Sequence, residues 1–589
     1  MALPNKNDAT QSVKRIRIWY GLLILVLAIF GLRLFYIQII NYGHYRSAAL
    51  SDQLKQYEIP ARRGIIKAHD GSRELPIVLN QQLFTLYADP VYIKKPTEAA
   101  AKVQSVIGGD SSKYEQQMKA KDTRYVILAK KLSKEQHAKI AALKLAGVGT
   151  QEQDYRTYPQ GSLVSQVLGF VNDENIGKYG VEQALNKQLD GTAGELKAIT
   201  DASGVPLAAS RDNTRVAPKN GDDITLTIDL ALQQQLETIL AQGVKSSKAT
   251  AASALIMDTK TGAIKAMGNA PTYDPSKYSQ VDDPSVFQNS AVSHPIEIGS
   301  SMKTLTTAAA LDQGVIKPNQ TYYDPAKWKI DDFNITNIEE DGGAGTRSIT
   351  DILNLSLNTG VTWELMQMGG GEINTKAREA WYNYMANHYM FGKPTGIEQG
   401  YEAEGYIPEP KDNGAGIDLT YANTAFGQAM TATPIQLGAA LASVVNGGTY
   451  YQPYLVDKAT HSDGKTTTTK PKVVKSQVVS AGTAKEIIPM MQYVVEHHNF
   501  SPKFDQGAYV VGGKTGTAQI AKPGGGYYDN QFNGTYAGFV GGDSPDYVIV
   551  VFVYKPTIGG YAGTAAAQPI FGQLAHVLIN NAYVSPKAQ

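Results

Sequence analysis

From Ile18 to Ile40 the sequence runs IWYGLLILVLAIFGLRLFYIQII, 23 residues with a single charge, Arg33. No other stretch restricts the architecture as much. A helix of that length spans about 34 Å, enough to cross a hydrocarbon core of about 30 Å. Lys14, Arg15 and Arg17 stand just before it, which favours residues 1–17 as a cytoplasmic tail and the bulk of the chain outside. A cleaved signal sequence needs small residues after its apolar run, whereas Asn41, Tyr42, His44 and Tyr45 follow here. The expectation is an uncleaved single-pass anchor over 18–40, with Arg33 snorkelling to the outer interface or pairing with a partner helix.

A chain of 589 residues exceeds what one core organises, so two or three domains are expected. Its 55 basic and 54 acidic residues leave a net charge of +1. No global field therefore favours nucleic acid or acidic lipid. With no cysteine, disulfides, thiolate zinc sites and a cysteine nucleophile are excluded together. The nine histidines are scattered without an HExxH, and His497–His498 reads as a helix C-terminus, so no metal site is expected.

After the anchor, residues 41–217 read as a β-rich region with short amphipathic helices at EAAAKVQSVIG and SKEQHAKIAALKLAG. KNGDDITLTID alternates Ile224, Leu226 and Ile228 as a half-buried strand would, and LALQQQLETILAQGV continues as a helix. A second domain is placed over 218–589. In it AASALIMD and AIKAM form a hairpin across TKTG, YVIVVFVY reads as a central strand, and HSDGKTTTTKPKVVK as an exposed loop.

Three short motifs carry chemistry. In PIEIGSSMKTLTTAAALDQG, Ser300 follows a glycine at an apparent helix start, with Lys303 three residues on and so on the same face. A serine hydroxyl needs a neighbouring base, and lysine serves only if its pKa is brought down from near 10.4. ILNLSLNTGV supplies Ser356, a hydroxyl able to relay a proton, and Asn358, a carboxamide able to bond a lysine and a substrate amide. YVVGGKTGTAQI supplies Lys514, Thr515, Gly516 and Thr517 on a strand: a cation and two hydroxyls suited to a carboxylate, with room at Gly516 for a substrate backbone. An earlier KTG, Lys260 to Gly262, sits at the hairpin tip, where a solvated turn explains it fully. GAYVVGGKT misses the phosphate-loop spacing by one residue, with five between Gly507 and Gly513.

Alone each motif is weak. In this order, S-x-x-K, S-x-N and K-T-G are the signature of penicillin-binding proteins and class A β-lactamases. The chain resembles a class B penicillin-binding protein, a monofunctional peptidoglycan D,D-transpeptidase. The likeness extends through IPARRGII, YPQGSLVSQVLGFV, YGVEQALNKQLDGTAGE, DASGVPL and TAFGQAMTATPIQL, and its wording is nearest the septal, cell-division type. The resemblance implies an α+β fold: a transmembrane helix, a β-rich pedestal of the dimerisation type, then a transpeptidase domain whose five-stranded antiparallel sheet is covered by helices on both faces. It implies Ser300 as nucleophile, Lys303 as base, Ser356 as relay and Asn358 as substrate-orienting group. Lys514, Thr515 and Thr517 would hold the terminal carboxylate, and the Ser300 and Thr517 amides the oxyanion. No cofactor is implied. Implied partners are stem peptides, β-lactams, a SEDS-type glycosyltransferase and other membrane proteins of the division complex, with Arg33, Arg62 and Arg63 as contacts or, alternatively, buried ion pairs.

The sequence departs from the family at Ile298, where proline is common, and at Ser301 and Met302, where threonine and an aromatic are usual. Leu357 replaces the aspartate of S-D-N, which argues against a class A lactamase. An elongation-type transpeptidase, a D,D-carboxypeptidase and a non-catalytic division scaffold are the other readings of these residues.

Overall fold

The computed structural model describes residues 6–45, 54–120, 122–199, 214–337, 343–411 and 416–588. The phrase DASGVPL lies outside them. Two compact units divide the chain: residues 1–62 with 191–220, and residues 63–190 with 221–589.

In the first unit, helix α1 (Lys6–Phe35) runs into a π-helical turn at Tyr36–Ile40. Lys14–Ile40 is long and apolar enough to cross a membrane. The Arg33 guanidinium lies 5.7 Å from the centre of the Tyr36 ring, so this charge leans along the helix toward its C-terminal end. Strands Leu54–Ile59, Gly194–Ile199 and Thr214–Val216 form a small antiparallel sheet.

In the second unit, the five-stranded sheet consists of β1 (Ala251–Asp258), β2 (Ile264–Ala270), β3 (Val510–Ala521), β4 (Tyr527–Gly541) and β5 (Pro545–Tyr554). They lie antiparallel in the order β2-β1-β5-β4-β3. β5 is central, which explains why YVIVVFVY does not alternate: both its faces are buried. Val548, Val550 and Phe552 enter one apolar cluster and Ile549, Val551 and Val553 the other. Helices α2 (Leu230–Ser247) and α7 (Gln568–Asn580) cover the second face through Leu236, Leu240, Phe571 and Leu574. The first face is covered by α5 (Pro434–Val445), entered through a capping box in which Thr433 receives Gln436 N–H and Pro434 occupies the first helical position.

A seven-stranded sheet shares strands between the two sequence regions. Asp223–Asp229 pairs antiparallel with Val456–Thr460 and parallel with Ile66–Asp70. Flanked on both sides, this strand is buried through Thr225 and Thr227 as well as Ile224, Leu226 and Ile228. The alternation suggested a half-buried strand; its threonines are instead hydrogen-bonded inside, Thr227 to the Ile264 carbonyl at 2.6 Å. HSDGKTTTTKPKVVK is not a plain loop either. The largely exposed Thr466–Thr468 extends this sheet, and the largely exposed Val473–Lys475 pairs with Tyr450–Tyr451.

Arg63, at the start of the second unit, lies within a buried ion cluster. Its guanidinium donates to Glu182 Oε2 at 2.6 and 3.0 Å, and Arg156 donates to Glu182 Oε1 at 2.9 Å. None of the three side chains exceeds 4 % exposure. Arg62 beside it is exposed.

Candidate active site

The serine turn comes first. Gly299–Met302 is a 3₁₀ turn that passes directly into α3 (Lys303–Asp312). In a 3₁₀ turn residues three apart eclipse, which sets Ser300 and Lys303 on one side. Gly299 has φ +57°, and a Cβ there would lie 2.7–3.0 Å from backbone atoms of Thr517. Only glycine lets the turn come this close to β3.

A second lashing holds the turn. The Thr535 hydroxyl on β4 donates to the Ile298 carbonyl at 2.8 Å and lies 2.8 Å from Ser301 Oγ, which in turn donates to the Lys514 carbonyl. Gly516 makes this crossing possible: a Cβ on it would stand 2.3 Å from the Ile298 oxygen and 2.2 Å from Thr535 Oγ1. The Cβ direction at Gly516 is thus filled by the Ile298 backbone and the Thr535 hydroxyl. Gly563 closes the opposite side, its N–H donating to Thr517 Oγ1 at 2.9 Å.

Lys303 is fully buried, and its ammonium donates to the carbonyl and, at 3.2 Å, to the hydroxyl of Ser356. Ser356 is held at φ +55° in the bend between helix Ile349–Asn354 and α4 (Asn358–Gly369). This left-handed residue turns both of its oxygens toward the lysine. Leu357 between the motif residues is 1 % exposed and packs inward, so an apolar side chain suits that position. Asn358 opens α4 and donates to the Thr336 carbonyl at 3.1 Å.

On β3, the edge strand, Lys514 is 1 % exposed and Thr515 9 %. The Lys514 ammonium donates to the carbonyl and hydroxyl of Thr515, both at 3.3 Å. These bonds tie the ammonium to its own strand. The earlier KTG is remote in character: Lys260 is exposed and paired with Asp546 at 2.7 Å, and Gly262 has φ +81° at the β1–β2 turn.

Three groups that sequence reasoning did not assign to the site lie beside it. His498, read as a cation at a helix end, is partly buried, and burial together with Lys514 pushes its imidazole toward the neutral form. Glu297 accepts from Ala429 N–H and Tyr527 O–H, and burial raises its carboxyl. Glu364 on α4 is fully buried and accepts the Thr307 hydroxyl at 3.0 and 3.1 Å. No periodic or motif signal marks any of them. A cavity of about 720 Å³, lined by Glu297, Gln519, Asn269 and Lys555 among others, opens at the end of the sheet and does not include Ser300. Among the described residues no group of three or more histidines and carboxylates is placed to hold a metal ion.

Residues 252–576 match the penicillin binding protein transpeptidase domain, more than half of the chain, and residues 58–226 the penicillin-binding protein dimerisation domain. The chain belongs to the penicillin-binding proteins. This penicillin-binding protein is 31 % identical to the stage V sporulation protein D of Bacillus subtilis, over 96 % of this chain and 85 % of that one. It is 29 % identical to the PbpB of Mycobacterium tuberculosis, with 98 % and 86 % covered. The peptidoglycan D,D-transpeptidase FtsI of Escherichia coli is 24 % identical over 96 % and 92 %. Among solved structures, penicillin binding protein 2X of Streptococcus thermophilus superposes with a TM-score of 0.69 at 24 % identity, covering 90 % of this chain and 81 % of that one. Penicillin binding protein 3 of M. tuberculosis, complexed with aztreonam, gives 0.66 at 24 % identity, with 90 % and 98 % covered. The fold is α+β, with an N-terminal apolar helix, a dimerisation domain and a transpeptidase domain. The enzyme class is the serine-type peptidoglycan D,D-transpeptidase.

Proposed function

We propose that the chain crosslinks peptidoglycan stem peptides through an acyl-Ser300 intermediate, in septal wall synthesis during cell division. The observation that carries this reading is the buried Lys303 ammonium on Ser356 Oγ at 3.2 Å, one 3₁₀ turn from Ser300. Ser300 Oγ attacks the carbonyl of the penultimate D-alanine, and Lys303, in its neutral amine form, takes its proton. The C–N bond breaks, and the proton passes through Ser356 to the departing D-alanine amine. An amine of a second stem then attacks the ester; the C–O bond breaks and Ser300 recovers a proton. The Ser300 and Thr517 amides hold the oxyanion, a contribution usually large in acyl transfer. Asn358 orients the substrate amide, and Lys514, Thr515 and Thr517 hold its terminal carboxylate, with Gly516 keeping strand and serine turn in contact.

A β-lactam acylates the same serine and leaves slowly; the aztreonam and ampicillin complexes of the M. tuberculosis relative support this. We place residues 1–17 in the cytoplasm, 18–40 in the membrane, and the pedestal (41–217) and transpeptidase domain (218–589) outside. A SEDS-type glycosyltransferase is the membrane partner, with Arg33 and Arg62 as contacts. Arg63 is removed from that role by its buried pairing with Glu182.

The test labels the full-length chain in detergent with a fluorescent penicillin, beside Ser300→Ala, and identifies the labelled peptide by mass spectrometry. Expected is a stable adduct on the Ser300 peptide, absent from a Ser300→Ala protein that melts like wild type. Folded wild-type protein that takes no label refutes the assignment.

A further inference from the structure

Glu364 lies two turns into α4, beyond Asn358, and is fully buried. A buried carboxyl with no role in the chemistry is costly unless it is satisfied and neutral. Its satisfied contact is the Thr307 hydroxyl, and Thr307 stands one turn after Lys303 on the same face of α3. Two helices thus bring a buried carboxyl onto the hydroxyl one turn from Lys303, while the Lys303 ammonium itself donates to Ser356.

Among the described residues, Lys303 on α3 is the ionisable group that acts on Glu364, and Glu364 in turn acts on Tyr322 of strand Thr321–Asp324. Burial and the neighbouring carboxylates Asp324 and Glu364 hold Tyr322 as a neutral phenol, with Arg347 opposing them weakly. That leaves Lys303 and Glu364 as the exchangeable pair.

We propose that Glu364 is a positioning residue for the proton of Lys303, so that acylation of Ser300 is governed by a coupled lysine–carboxyl pair and not by the lysine alone. This rests on the reading of Ser300 as nucleophile and Lys303 as base. Burial raises the Glu364 carboxyl to about 8 against the opposing pulls of the Thr307 hydrogen bond and the Lys303 ammonium. An ionised Glu364 favours the ammonium form of Lys303 in return, because opposite charges stabilise one another. When both groups are protonated there is no base. The first proton lost is divided between them, so only part of the population carries a free amine. The second loss frees the amine in every molecule. The pH profile of acylation therefore rises in two steps, as coupled sites require.

The experiment measures the acylation rate of the full-length chain by a fluorescent penicillin across about pH 5.5 to 9.5, with the label mapped to Ser300. Wild type is expected to show two steps. Glu364→Gln is expected to show one, with its midpoint at least about one pH unit below the upper wild-type step. Thr307→Val removes the hydroxyl that stabilises the carboxylate, so the carboxyl keeps its proton to higher pH. Its profile keeps two steps, and the lower one becomes larger. A purely structural role for Glu364 would lower all rates without moving the midpoints. A Glu364→Gln profile superimposing on wild type in shape and midpoint overturns the proposal. If Glu364→Gln does not fold, a Thr307→Val profile identical to wild type overturns it equally. Absence of label on Ser300 in wild type at every pH overturns instead the reading of the site on which the proposal stands.

Discussion

Gly516→Ala tests whether the serine turn owes its position to the contact across β3. The added Cβ would lie 2.2 Å from Thr535 Oγ1, 2.3 Å from the Ile298 oxygen and 2.9 Å from Ser301 Oγ. The Thr535 hydroxyl cannot simply rotate away without giving up Ile298 and Ser301. The Ile298 oxygen is backbone, so strand and turn must part by at least about 0.7 Å to restore a 3.0 Å contact. The strand cannot retreat freely, because Gly516 is in register with Thr535 in the β3–β4 ladder. Overpacking of this kind costs about 1–3 kcal/mol. A displacement near 1 Å between Ser300 and the Thr517 amide costs on the order of 10²-fold in rate. The assay is the second-order acylation rate with a fluorescent penicillin, beside a thermal melt of the full-length protein. Gly482→Ala is the control: exposed inside helix α6 (Ala481–His497), with only Ser480 Oγ at 3.6 Å from the new Cβ, it should keep the rate and melt no lower. Wild-type acylation by a folded Gly516→Ala protein would refute the claim that this packing places the nucleophile.

Two further outcomes concern stability. Arg63→Ala breaks a buried pair and leaves Glu182 with Arg156 alone, so chemical denaturation should show a loss of about 3–5 kcal/mol, whereas Arg62→Ala at the exposed neighbour should stay within about 0.5 kcal/mol. The folded-state pKa of Glu364 is raised from 4.5 to about 8, so the native state holds a proton that the unfolded chain has released. Its stabilising effect is complete below about 4.5 and is lost as pH rises toward 8; melts of wild type should fall relative to Glu364→Gln across that window, by up to about 1.4 kcal/mol per pH unit.

The motifs of the candidate site were legible because they are spelled in local words. Ser300 and Lys303 need only a turn between them, and Lys514 to Thr517 only a strand. The central strand was equally local. What the words could not convey is which surface each residue meets. Ile224 to Ile228 alternates like a half-buried strand, yet a parallel neighbour on one side and Val456–Thr460 on the other bury its threonines too. The pairing partner is some 230 residues away, and no local pattern encodes it. At Gly516 the place of an added Cβ is taken by the Ile298 oxygen and Thr535 Oγ1, neighbours that the local word does not name.

Charge is the quantity least visible along the chain. Read by type, His498 is a cation at a helix end and Glu364 an acid on a helix. Burial reverses both expectations, leaving the imidazole neutral beside Lys514 and the carboxyl protonated up to about pH 8 on the Thr307 hydroxyl. Each departure arises from groups brought together by different elements: His498 at the end of α6 against β3, and Glu364 on α4 against α3. A motif fixes which atoms react, because those atoms must be a set distance apart. The protonation state in which they react is set by residues outside the motif, and these are free to differ between chains that share it. Two penicillin-binding proteins with identical S-x-x-K, S-x-N and K-T-G can for that reason acylate over different pH ranges, and the residue to compare first is the one at Glu364.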